Sequence, residues 1–196
     1  MEIKVSQYDF VVENHAPHVG GNIWQGDPLT FAPTVWRYML DRFACRSVLD
    51  VGSGRGHAAA WFHRAGAMVV AVDASSANVK SALYPTIHHD LTFGSMTCPV
   101  DMVHCQEVAE HIPPEHVGNF LRTLANGQTV VMSHAEPGQV GYHHVNLQTW
   151  EYWVNHMAAL GYRFLDIDTA RVRQYAQQDG ADHLARSGLV FARAME

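Results

Sequence analysis

Apolar and polar positions along the chain follow two alternating periods. "RSVLDVGSG" (46–54) is a short β-branched run ending in glycines, and "HAAAWFHRAG" after it carries helix-forming alanines closed by Gly66, a natural residue for a helix C′ position. This predicts a strand, a glycine turn and a helix. "AMVVAVDAS" (67–75) repeats the strand pattern, "SANVKSALY" predicts a helix capped by Ser75 or Ser76, and "TIHHD" (86–90) a third short strand. "VDMVHC" (100–105) is the fourth. The helix after it has Pro113 or Pro114 in its first turn, runs through "EHVGNFLRTLA" and stops at Asn126-Gly127, and "QTVVMSHA" then reads as a buried strand.

Strands alternating with helices in this way imply right-handed crossovers and a parallel sheet. After Ala135 the pattern changes: "EPGQVGYHHVNLQ" is a glycine-containing loop and "TWEYWVNHMAALG" a helix, while "YRFLDIDTARV" and "SGLVFARA" are expected as strands pairing antiparallel at one edge, with "QQDGADHLA" a polar loop between them. Upstream, "PLTFAPTVWRYMLDRF" (28–43) has apolar residues at helical spacing that pack on the sheet. Residues 1–27, with His15, His18, Gly20-Gly21 and Trp24, keep no regular period and either cover a site or form a loosely ordered terminus; residues 28–196 form the domain proper.

A length of 196 residues suits one globular unit. Hydrophobic residues make up 47% and charged ones 16%, without repeats, low-complexity runs or an apolar stretch near the ~20 residues a membrane span needs. The start, "MEIKVSQYDFVVEN", lacks the basic and apolar regions of a signal peptide, so a cytoplasmic location is expected. Cys45, Cys98 and Cys105 form no C-x-x-C pair and read as small core residues. A net charge of −6 with no basic cluster makes long nucleic acid a poor partner. Fourteen histidines, some in pairs (His88-His89, His143-His144), raise the expectation of metal chemistry without locating it.

In "LDVGSGRGH" a strand ends near Asp50 and runs into Gly52, Gly54 and Gly56. These glycines let the backbone approach a ligand closely, and the following helix offers free amides. A nicotinamide fingerprint, G-x-G-x-x-G, would place its third glycine at position 57, which is His57. The acidic residue at the strand end and the tighter glycine spacing instead resemble motif I of class I S-adenosylmethionine (SAM) dependent methyltransferases, and the order of elements carries the resemblance over nearly the whole chain. The resemblance implies a single-domain α/β Rossmann-like fold, with a mostly parallel seven-stranded sheet and an antiparallel edge hairpin. It also implies that Asp73 accepts the ribose hydroxyls, that Asp90 lies near the adenine amino group and that Gln106 lines the cofactor cleft.

"CQEVAEHIPP" (105–114) follows the fourth strand, at the edge where open α/β sheets bind ligands. Glu107, Glu110 and His111 stand at i, i+3 and i+4, so one helical turn would aim all three the same way. Two carboxylates and an imidazole suit Mg²⁺, Mn²⁺, Fe²⁺, Co²⁺ or Zn²⁺. The pattern E-x-x-E-H with a distal histidine resembles the metal site of small-RNA 3′-terminal 2′-O-methyltransferases; ubiquinone-pathway O-methyltransferases share its first part. That resemblance makes His144, with Trp153 nine positions later, first choice for a fourth ligand, followed by His143 and then His134. The basic RNA-gripping surface of those enzymes has no counterpart here. The expected activity is metal-assisted O-methylation of a small or medium polar acceptor bearing a hydroxyl: a glycan, a nucleotide or a diol.

The rival readings are a metal-independent methyltransferase with His134, His143 or His111 as general base, and a SAM-binding module without catalysis. Trp24, Tyr142, Trp150 and Trp153 are candidates for stacking on an acceptor, the last two being core residues on the alternative view. Arg171 and Arg173, two apart on the expected strand, would share a face able to hold an anionic group.

Overall fold

The computed structural model describes residues 10–11, 16–20, 22–23 and 25–194. His15, Gly21 and Trp24 lie outside them. Strands β1 (Phe10–Val11) and β2 (Asn22–Ile23) form a small antiparallel ribbon. The main body follows as α1 (Pro33–Arg42), β3 (Ser47–Val51), α2 (His57–Arg64), β4 (Met68–Asp73), α3 (Ser76–Ser81), β5 (Thr86–His88), β6 (Val100–Cys105), α4 (Val117–Leu124) and β7 (Gly127–Met132). The last part comprises α5 (Trp150–Ala159), β8 (Tyr162–Phe164), α6 (Asp166–Asp179), α7 (Asp182–Ser187) and β9 (Leu189–Arg193). Seven strands form one sheet in the order β5-β4-β3-β6-β7-β9-β8, parallel except at β9, which runs antiparallel to both neighbours. This is the expected Rossmann-like sheet with its antiparallel edge.

Side-chain alternation along the central strands builds a core on each face. Leu49, Val51, Val103, Cys105, Val130 and Met132 pack with Phe120, Leu124, Trp153 and Met157. Their neighbours Val48, Met102 and Val131 pack on the other side with Trp36, Met39, Phe62, Val172 and Leu184. Two helix ends follow the sequence closely. Gly66, at φ 94°, ends α2 in a Schellman arrangement: Ala67 N–H reaches Phe62 O at 3.1 Å and Gly66 N–H reaches His63 O at 2.9 Å. Ser75 caps α3 by accepting from Asn78 N–H.

Three expectations are corrected. Gly127 opens β7 instead of ending α4, which stops at Leu124; a side chain at 127 would press on the carbonyl of Thr129 in its own strand and on the backbone of Val103 in the adjacent one. The strand expected over "YRFLDIDTARV" stops at Phe164, and the chain then forms α6 and α7 where a strand end and a polar loop were expected. The helical face of α6 consists of Asp168, Thr169, Val172 and Ala176, three of them small or polar, so the apolar period that marks a helix was masked. Asp168 is buried because Tyr38 Oη and Arg42 Nε donate to it at 2.6 and 2.9 Å. Two positions apart on a helix point about 200° apart, so Arg171 and Arg173 share no face: Arg171 lies over the Tyr38 ring and Arg173 donates to Gly188 O.

Among the described residues no helix is long and apolar enough to cross a membrane.

Asp101 ties the start of β3 to β6. Its Oδ2 accepts from Arg46 N–H, Ser47 N–H and Ser47 Oγ at 2.8–2.9 Å, and these donors, with that of Arg46 foremost, hold its carboxyl below the ordinary value. A lowered acid contributes stability above its unfolded pKa of about 3.9 and loses it as pH falls through the folded value. Asp101→Asn is expected to cost about 1 kcal/mol at pH 7, discounted for solvent exposure, with the gap to the parent closing only below about pH 3.9; urea unfolding at several pH values measures it.

Candidate active site

β3 and β6 are neighbours whose following helices leave on opposite faces of the sheet, and at their carboxyl ends a cleft of about 830 Å³ opens. Gly52, Gly54 and Gly56 all have positive φ (67°, 55° and 75°), and Gly56 stands directly before α2. At Gly52 the freedom from a side chain is needed twice, since a Cβ would also run into Val108 of the acidic segment. The glycine loop and the acidic loop therefore interlock.

The expected cofactor residues all meet at this cleft, although Gly56 itself is buried beside Tyr84 and only its neighbours line the wall. Asp73 ends β4, with Oδ2 accepting from Gly54 N–H at 2.7 Å and Oδ1 from Ser75 N–H and Asn78 Nδ2 at 2.8 and 3.0 Å. Burial outweighs those donors and pushes its carboxyl upward. Asp90 accepts from Thr92 N–H at 2.8 Å and is 2.8 Å from His18 Nε2 of the amino-terminal segment. Burial opposes ionisation of Asp90, but these partners keep its carboxyl below the ordinary value. Gln106 is buried with neither side-chain polar atom hydrogen-bonded among the described residues. Asp50 is buried and paired with His104.

The acidic segment departs from expectation in one respect. Its single turn is a 3-10 turn over Ala109–His111, and Glu107 precedes it in the left-handed region at φ 55°. Glu107 falls outside the tight group that Glu110 and His111 form with His144, although its carboxylate is close enough to Glu110 to push that carboxyl up. Its Oε1 accepts from Ser133 Oγ at 2.8 Å, and its Oε2 lies 3.1 Å from His183 Nδ1 on α7. His183 Nε2 in turn meets Asp27 Oδ2 at 2.9 Å.

Glu110, His111 and His144 do come together, with one candidate ligand atom from each lying within 4.8 Å of the others. Val145 and Asn146 N–H donate to Glu110 O at 2.9 and 3.1 Å, docking the glycine-containing loop onto the turn and bringing His144 against His111, ring centroids 5.2 Å apart. Gly141 is tightly placed beneath the His144 ring, where a side chain would collide. The Glu110 carboxylate is fully buried and neither oxygen has a hydrogen-bond partner among the described residues; Nδ1 of His111 and of His144 is likewise unpartnered. Burial, followed by the charge of Glu107, pushes the Glu110 carboxyl well up. Burial and then the neighbouring imidazoles push His111 down to about 4, and burial also lowers His144. The imidazoles are thus neutral near pH 7, the form in which they bind metals.

His143 and His134 are not part of this group. His143, at φ 48°, turns its ring toward Tyr142. His134 is buried beside Trp153 at the end of β7, away from the cleft. Trp153 is a core residue and Trp150 packs on Phe164; of the aromatic candidates among the described residues, Tyr142 alone lines the cleft, and neither Arg171 nor Arg173 does. The sequence reading missed His104, His183, Asp27 and Trp36, all of which line it.

A family model described as a methyltransferase domain matches residues 29–172. The chain belongs to this methyltransferase domain family. No curated protein sequence matches it. Among solved structures, the methyltransferase shares its fold with the methyltransferase domain of bacterial CtHen1-C at 18% identity and a TM-score of 0.60, covering 85% of this chain and 98% of that one. The sugar N-methyltransferase KedS8 from Streptoalloteichus sp ATCC 53650 matches at 16% identity and a TM-score of 0.64, over 86% and 89%. Magnesium protoporphyrin IX methyltransferase from Synechocystis PCC 6803 with bound SAM matches at 16% and 0.58, over 83% and 79%.

The interlock of the methyltransferase's two loops can be measured. Gly52→Ala is expected to destabilise by about 2–4 kcal/mol, combining left-handed strain and overpacking. Adding Val108→Ala should recover about 1 kcal/mol beyond additivity in a denaturant double-mutant cycle; additive effects would show that the loops do not touch.

Proposed function

We propose that this methyltransferase transfers the SAM methyl group to a hydroxyl of a small or medium polar acceptor with the help of a divalent cation held by Glu110, His111 and His144. The observation that carries the reading is the buried Glu110 carboxylate without a donor, grouped with two imidazoles that each keep an unpartnered nitrogen. An ionised carboxylate in such surroundings is costly unless a proton or a cation neutralises it, and beside two neutral imidazoles a cation is the neutraliser that uses all three; one oxygen plus two nitrogens suit Mn²⁺, Fe²⁺, Co²⁺ or Zn²⁺ better than Mg²⁺.

A cation bound there supplies Lewis acidity that makes an acceptor hydroxyl more acidic. The chain's own residues do the rest. The glycine loop, Asp50, Asp73, Asp90 and Gln106 hold the cofactor, and the loop carrying His144 forms the wall beside the acceptor. In the transfer the acceptor hydroxyl gives its proton to water in the cleft, and its oxygen bonds to the methyl carbon as the carbon–sulfur bond breaks, leaving a neutral thioether.

The described lining of the cleft supports a small acceptor over a long polyanion: Asp27, Asp50, Asp73, Asp90, Glu107 and Asp179 face it, against Arg55 and no lysine. Nucleic acid is a poor fit on this ground. The placement of residues 16–20 and 25–31, bonded through His18 and Asp27 to Asp90 and His183, supports a covering role for the amino-terminal segment.

Isothermal titration with Mn²⁺ should show binding to the parent and about a hundredfold weaker binding to Glu110→Gln, the loss typical of a missing charged ligand. Because Glu110 must ionise to bind, affinity should rise as pH rises through its raised pKa. Binding that is unchanged in Glu110→Gln, or methyl transfer indifferent to a chelator, would sink the metal reading.

A further inference from the structure

At the floor of the cleft a buried chain of three side chains runs from α1 to β3. The Trp36 indole Nε1–H donates to His104 Nε2 at 3.2 Å, and His104 Nδ1 lies 2.7 Å from Asp50 Oδ1. The three residues are at most 4% exposed. An indole nitrogen can only donate, so His104 Nε2 carries the lone pair and the proton sits on Nδ1, facing the carboxylate. The tautomer is therefore set by geometry. Phe31, Trp61 and Phe62 surround the Trp36 ring, with centroids 5.1–5.6 Å away, and leave it little room to turn.

Asp50 is left with one oxygen engaged and the other, Oδ2, buried without a hydrogen-bond partner among the described residues, in a side chain that lines the cleft. A second acid, Asp73, is near enough to feel its charge. Two carboxylates at one end of a cleft, one with an unused oxygen, call for a cationic N–H donor. SAM carries one such group, its α-ammonium; its adenine amino group is neutral.

We propose that His104 and Trp36 are positioning residues for the cofactor: through the Nδ1–H contact they hold Asp50 with Oδ2 presented to the α-ammonium group. The proposal rests on the reading of this cleft as a SAM site. His104 touches no reacting atom and acts through Asp50 alone.

Two substitutions at His104 separate this role from simple core filling. The Asn amide reaches the position of Nδ1 and the Gln amide that of Nε2, so His104→Asn keeps a donor to Asp50 whereas His104→Gln keeps only a partner for Trp36. By isothermal titration with SAM, His104→Gln should bind about tenfold more weakly or worse, the loss of one charge-assisted contact, and His104→Asn within about threefold of the parent. Thermal unfolding of both reads the packing loss they share. Trp36→Phe, which keeps a ring and removes the N–H, should also weaken SAM binding, and it serves if a His104 variant fails to fold. Independently of SAM, ¹⁵N NMR of the imidazole should show the Nδ1–H tautomer in the parent.

Equal affinities for the Asn and Gln variants, or an Nε2–H tautomer, would overturn the positioning role while leaving the SAM reading intact. A parent protein that binds no SAM would overturn the SAM reading and the positioning role with it.

Discussion

Parallel pairing of β3 with β6 brings together, in register, two strands that are far apart in sequence and whose following helices must leave on opposite faces of the sheet. No connection bridges their carboxyl ends, and a crevice persists there. The register also sets Asp50 opposite His104, so one ladder of backbone hydrogen bonds creates the opening and supplies polar groups for its floor.

Around this opening the loops are tied down mostly through backbone groups. The carbonyl of Glu110 takes two amides from the loop bearing His144, and the amide of Glu107 donates to Ser133 Oγ beyond β7. Two non-glycine residues in the left-handed region, Glu107 and His143, flank the group of potential ligands. Such conformations cost on the order of 1–3 kcal/mol each and persist only where the surroundings enforce them. Here the surroundings bring an unpartnered carboxylate and two neutral imidazoles to one point. An arrangement that stores strain and an unpaired acid in the same few residues has the features of a binding site and poor ones for stability alone.

The central strands, the glycine loop and the parallel character of the sheet were legible because their signals are local or follow from chain geometry: β-branched runs, turn glycines and right-handed crossovers; the antiparallel edge drew on the family resemblance. The acids and imidazoles of "EVAEH" and "YHHVN" were legible as a set, but the turn at Glu107 was not, since its direction depends on Ser133 and His183, which are 26 and 76 positions away. His183 itself sat in a stretch whose helices bury small residues and carry little apolar period. His104 left a fainter trace: a histidine one residue before the end of an apolar strand, matching an aspartate at the same place in another. Reading that pair requires knowing that the two strands are neighbours, which follows only once the fold is in hand.

The contact between Gly52 and Val108 also bears on how such a protein can change over generations. A side chain at position 52 meets both left-handed backbone strain and Val108, and a smaller residue at 108 relieves only the second; the loop bearing position 108 also presents Glu110 and His111. Drift in the glycine loop is thereby tied to drift in the segment that would confer reaction type, so the two can diversify only as a pair.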